Sequence, residues 1–269
     1  MEDNDTRWLL LGLIVVALAA GAWLFRDAWM PPDAPAPDPA SAEPPATLPG
    51  KRLEPLYPVE PLRQRDEGGD LVPLPPLDES DEYFALELLG IFGTQLESLL
   101  VNELLVERTV GTVDNLPRDR VPERIRPLGR LPGSFLVEPD GEDRFLLSPR
   151  NFERYDELVT MFEDASPDEM IATYRRFYPL LNEAYRMLGY PDGHFNDRVI
   201  EVIDLLLATP EPEGTVELVR EHVLFSYADP ELEALTSGQK ILVRMGNANA
   251  RRVKAVLSTL RDALTAASG

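Results

Sequence analysis

The chain contains no cysteine, which excludes disulfides, thiolate metal sites and cysteine nucleophiles. Positive charge is also scarce. Its 26 lysines and arginines face 47 acids, for a formal net charge of −21. A surface of that sign argues against non-specific nucleic-acid binding and against adhesion to anionic lipid over most of its area, so no nucleic-acid partner is expected. Lysine is confined to Lys51, Lys240 and Lys254, and histidine to His194 and His222. The motifs of nucleotide and hydrolase chemistry are missing too. There is no Gly-x-Ser-x-Gly elbow, phosphate-binding loop, Gly-x-Gly-x-x-Gly after a strand, or His-Glu-x-x-His. No catalytic residue, cofactor site or metal set is therefore assigned from motifs.

What is present begins with a membrane signal. After an acidic tail (1–7), residues Trp8–Phe25 form an 18-residue stretch without charge, about 27 Å as a helix and enough to cross a hydrocarbon core. Trp8, Trp23 and Trp29, all the tryptophans of the chain, flank it as interfacial anchors. Ala20-Gly21-Ala22 would suit cleavage of a signal peptide. The acidic leader and the length of the apolar run favour an uncleaved anchor. Arg7 and Arg26 leave the orientation unbiased, and the shortness of the tail places the rest of the chain outside the cytoplasm. Residues 26–77 hold 14 of the 26 prolines. Such a tract cannot bury enough apolar surface to fold, so it reads as an extended stalk reaching on the order of 150 Å. No repeated Pro-x-x-Pro with basic flanks marks it as a docking ligand.

The periodicity of residues 78–265 predicts a mainly α domain of about seven or eight helices in an orthogonal or irregular arrangement, with one small β-hairpin at about 134–148. Its centre is a pair of helices between Ser166 and Pro210. Ser166, Pro167 and Glu169 form a helix start. Tyr174, Tyr178, Leu181, Tyr185 and Leu188 then follow on one stripe before Gly189 and Pro191 end it. Pro179 inside this helix predicts a kink near Arg175–Tyr178. The second helix carries Phe195, Val199, Val202, Ile203 and Leu206 on one face. Other helices are predicted from Ser80, from Thr94 to Val113, from a cap at Asn151, from Asp229-Pro230, from Ser237 and from Asn247. Thr215–Tyr227 fits a helix or two short strands equally well.

Two groups of polar residues are the candidate surfaces. His194, Asp197, Glu201 and Asp204 step by three, four and three along the second central helix, with Arg198 among them. Such a stripe suits a hard cation or paired carboxylates for glycan hydrolysis, although either site needs groups from other elements as well. A solvated, ion-paired face explains the same residues without chemistry. If Asp204 is buried, an arginine is the expected partner. The second group is a charge inversion: Lys240, Arg244, Arg251, Arg252, Lys254 and Arg261 stand against the single acid Asp262 between positions 238 and 262. It reads as an anion-binding or acidic-partner surface, or as cations paired internally. The run TSGQK (236–240) resembles the end of a phosphate loop but follows a helix and lacks the upstream glycine.

The runs VDNLPR (113–118), YPLLNEAYRMLGYPDGHFNDR (178–198), VIDLLLATP (202–210), FSYADPELEALTSGQK (225–240) and RMG (244–246) resemble a bacterial family known as domain of unknown function 3014, across about residues 78–265. The resemblance implies a Gram-negative envelope protein with one membrane span, a proline-rich spacer and this domain. It implies no activity, substrate or catalytic residue. The resulting expectation is a non-catalytic interaction or scaffold domain held off the inner membrane through Trp8–Phe25, with an envelope protein as partner. The alternatives are a carboxylate-dependent envelope enzyme acting on glycan or peptide, and a ligand or metal sensor.

Overall fold

The computed structural model describes residues 54–65, 69–129, 134–221 and 224–266. The expected span Trp8–Phe25, the stalk as far as residue 53 and His222 lie outside the described residues. Among the described residues no helix is long and apolar enough to cross a membrane.

These residues form eight α-helices and two antiparallel sheets. In chain order they are β1 (Gln64–Arg65), β2 (Leu71–Val72), α1 (Asp81–Phe92), α2 (Leu105–Asn115), β3 (Val137–Pro139) and β4 (Arg144–Leu147). There follow α3 (Arg150–Asp164), α4 (Pro167–Met187), α5 (Phe195–Leu207), β5 (Glu217–Glu221), β6 (Leu224–Tyr227), α6 (Pro230–Glu233), α7 (Ser237–Arg244) and α8 (Gly246–Ala266). The domain is mainly helical, as the periodicity predicts.

The α4–α5 pair is the core. Ser166 Oγ accepts the Glu169 amide at the start of α4. Tyr174, Tyr178, Leu181 and Tyr185 are all buried, so the tyrosine stripe packs inward. Leu188 at its end is exposed and does not join the core expected of it. The second helix starts at Phe195, whose amide is taken by Asn182 Oδ1 of α4 at 2.9 Å. The closing helix α8 packs across α3, α5 and α7. Its first residue, Gly246, has φ 79°, and a Cβ there would lie 2.7 Å from the Phe152 ring.

Three expectations need correction. The hairpin at 134–148 is half of a four-stranded sheet, β3-β4-β5-β6, completed by residues 217–227 as two strands. There Val216 and Leu218 are buried and Glu217 exposed, the period-two alternation of a strand. Asn151 does not cap α3. It lies within the first turn, where its side chain accepts the Leu136 amide (2.9 Å) and donates to Leu136 O (2.6 Å) and Ser148 O (2.8 Å), tying hairpin to helix. Residues 54–65 and 69–77, assigned to the stalk on composition, lie against the helices. Tyr57, Val59 and Leu74 pack on the core, Leu77 is buried in it, and β1 pairs with β2.

Candidate functional site

The cleft between α4 and α5 receives a strap, residues 56–62, which bends at Leu56 and Tyr57. Asp197 stands in the first turn of α5 and accepts two strap amides, Leu56 N on Oδ2 and Tyr57 N on Oδ1, both at 3.0 Å. Its neighbour Asn196 is fully buried. Its Oδ1 accepts the Tyr174 hydroxyl at 2.9 Å, which leaves Nδ2 to donate to Tyr57 O at 2.9 Å. On the opposite wall, Arg175 Nε donates to Glu60 O (2.9 Å) and the Arg175 carbonyl accepts the Leu62 amide (3.0 Å).

That carbonyl is available for a sequence reason. In an α-helix it would accept the amide four residues on, which here is Pro179, and proline has no N–H. The substitution that costs α4 one internal bond supplies the cleft with an outward acceptor. Five hydrogen bonds thus hold the strap, and all five end on its main chain.

The carboxylate stripe does not converge. Asp197 is occupied by the strap, Glu201 is 65% exposed and takes Arg198 Nη1 at 2.8 Å, and Asp204 is paired with Arg261 of α8. An arginine is therefore the partner of Asp204, though the carboxylate is about half exposed rather than buried. His194 precedes α5, and its side chain makes no capping bond. Among the described residues no three His, Asp or Glu side chains gather closely enough to hold a metal ion.

Arg198 turns inward to a carboxylate that the sequence reading missed. Asp114, at the end of α2 and 5% exposed, accepts Arg198 Nε at 3.1 Å and Arg118 Nη2 at 2.9 Å, with the Tyr190 hydroxyl at 3.3 Å. Arg198 Nη2 also donates to the Asp114 carbonyl at 2.7 Å. Burial works against the Arg198 charge, but the Glu201 and Asp114 oxygens outweigh it and its pKa rises. Tyr190 stacks on Tyr185 with ring centroids 4.7 Å apart, and burial beside Asp114 pushes both phenols up. Arg198 stands between Asp114 and Glu201, so neither carboxylate is free for acid–base work. The start of α7 docks on the same node: Ser237 and Gly238 amides donate to Arg118 O (2.8 Å) and Leu116 O (3.0 Å). The phosphate-loop-like TSGQK therefore spends its amides within the fold, on chain carbonyls and on the Thr236 and Gln239 side chains.

The cations of α7 and α8 are paired within the fold. Lys240 meets Glu233 at 2.7 Å, Arg251 and Lys254 share Glu211 at 2.7 and 3.1 Å, and Arg252 meets Glu163 at 2.6 Å. Hydrogen bonds from Arg251 and Lys254 hold the Glu211 carboxyl below its ordinary pKa. Arg244 is buried 6.0 Å from the centroid of the Tyr227 ring. Internal pairing accounts for most of the charge inversion.

A second missed group lies between α1 and α4. Arg176, almost wholly buried, donates Nη1 to Glu87 Oε1 at 2.7 Å and Nη2 to the Tyr83 hydroxyl at 2.5 Å. Glu87 Oε2 is buried without a hydrogen bond. Burial pushes the Glu87 carboxyl up to about 7 against the pull of Arg176.

With this geometry in place, residues 105–261 match the family described as "Protein of unknown function (DUF3014)". The chain belongs to the DUF3014 family. The matched stretch is narrower than the resemblance across 78–265. It includes Arg175, Pro179, Asn196 and Asp197 of the cleft and the whole Asp114 node. The strap and Glu87 lie before its first residue. No curated protein and no solved structure matches the chain.

Proposed function

We propose that this DUF3014 chain is a non-catalytic interaction or scaffold module of the bacterial envelope, held off the inner membrane by Trp8–Phe25 and the proline-rich stalk. The cleft between α4 and α5 is its gripping surface. The observation that carries the reading is the set of five main-chain hydrogen bonds around residues 56–62. A cleft that satisfies main-chain groups holds a chain segment largely irrespective of its side chains, as peptide-recognition domains do. The carboxylates that an enzyme would need, Asp197 and Glu201, are both engaged within the fold, which supports a binding role over a hydrolytic one.

The test is in vivo photo-crosslinking of the full-length chain from position 56, whose side chain is half exposed at the cleft rim. The expected result is one discrete adduct with an envelope protein, lost when Asp197→Ala is introduced. Absence of any adduct, or adducts indifferent to Asp197→Ala, contradicts the proposal.

A further inference from the structure

The strap is gripped without being buried. No side chain between Leu56 and Leu62 is buried: Tyr57 and Val59 lie partly against the core, and Glu60 is 91% exposed. Its hold is mainly the five main-chain hydrogen bonds, which end on Arg175, Asn196 and Asp197 alone. A segment with little apolar surface beneath it belongs to the low-stability end of a fold. Its release leaves little uncompensated. Asp197 stands in the first turn of α5, where the helix terminus favours a carboxylate. Asn196 keeps the Tyr174 hydroxyl, and the Arg175 side chain is already a third exposed. The chain also has a second anchor downstream. Leu74 packs on the core and Leu77 is buried in it, so the helices keep that cover with the strap out.

We propose that residues 56–62 are a releasable latch: they leave the cleft together while α4 and α5 stay folded, and the point at which the domain is held moves from Leu56 downstream towards Leu74. A pull from the N-terminal side reaches the two Asp197 bonds first, and the bonds of Asn196 and Arg175 follow in chain order. Seven released residues, at about 3.1 Å each when extended, add on the order of 20 Å to the reach of the segment before them. The latch is a property of this chain alone and needs no occupant in the emptied cleft. Only its use, adjusting how far the domain stands from its attachment, rests on the stalk and anchor proposed above.

The experiment measures a distance across the latch in the full-length chain in detergent. The chain has no cysteine, so Glu60→Cys on the strap and Asp168→Cys, exposed in the first turn of α4, are its only sites for spin labels. Double electron–electron resonance reads the docked strap as a narrow distance and the released strap as a broad, longer one. Asp197→Ala is expected to raise the ratio of released to docked by at least about 10-fold, as two lost hydrogen bonds imply, while the α5 core amides keep their protection from hydrogen exchange. An unchanged ratio in Asp197→Ala overturns the inference. So does release accompanied by loss of α5 protection, which would make the strap an integral part of the fold. Pro179→Ala tests that the residues leave together, because it adds a donor only at the Arg175 carbonyl, which the Leu62 amide uses. The Leu56 and Tyr57 amides are expected to exchange faster by about the same factor as Leu62. Acceleration at Leu62 alone overturns the latch. A strap that releases as expected in a chain that carbonate extracts from membranes would keep the latch and remove its place in a membrane tether.

Discussion

The amide of Leu62 donates to the carbonyl of Arg175 at 3.0 Å, across the boundary between the proline-rich region and the central helix. The carbonyl is available because Pro179 follows it by four positions. Pro179→Ala restores a competing helical donor. The expected outcome is faster hydrogen exchange at Leu62, by about 10-fold or more, with α4 no less helical by circular dichroism. Unchanged Leu62 exchange would show that the proline is merely a tolerated defect.

Arg198 and Glu201 separate a structural role from a catalytic one. Removing the Arg198 side chain leaves Asp114 buried with the half-exposed Arg118 as its remaining cation. Arg198→Ala is expected to cost about 2–3 kcal/mol by urea unfolding. Glu201→Ala, at a solvated position, is expected to fall within about 0.5 kcal/mol of the unaltered chain.

The Glu87 site makes stability depend on pH. The folded carboxyl is raised from 4.5 to about 7, so the native state binds more protons than the unfolded chain between those values. Its contribution is therefore greatest at the acid end and is lost as pH rises through about 7. The group facing it is Arg176, which also donates to the Tyr83 hydroxyl. Water reaches part of the site, so the effect is on the order of 1 kcal/mol, or a few degrees in Tm. Glu87→Gln is expected to flatten the difference in Tm between pH 5 and pH 8, and an unaltered slope would remove Glu87 as its source.

Gly246→Ala meets two obstacles, a φ of 79° and the Phe152 ring at 2.7 Å. A loss of about 2 kcal/mol or more is expected in thermal unfolding.

For the proposed tether, the full-length chain is expected to stay in the membrane pellet after alkaline carbonate extraction and to be digested by protease added to spheroplasts. Deletion of residues 1–30 should release it. A chain extracted by carbonate, or protected in spheroplasts, would contradict the anchor or its orientation.

Much of the helical core was legible because local rules and burial agreed. Ser166 caps where its sequence says, and the tyrosine stripe packs as its spacing requires. What escaped was non-local. Asp114 looks like a turn residue beside Asn115 and Pro117, and only the fold brings Arg198 to it. Residues 217–221 became a strand because β4 offered an edge, a pairing that no local pattern encodes. Composition misled at the strap, where proline density suggested an unfolded stalk. Pro179 was read without its consequence, an Arg175 carbonyl left without a helical donor and taken by the Leu62 amide.

The central claim is that the cleft grips residues 56–62 by their main chain, and amide hydrogen exchange on the full-length protein tests it most directly. The amides of Leu56, Tyr57 and Leu62 should exchange slowly, with Leu56 and Tyr57 losing protection in Asp197→Ala while the α5 core amides keep theirs. Exchange of these three amides at the rate of an unstructured proline-rich chain, in the unaltered protein, would contradict it.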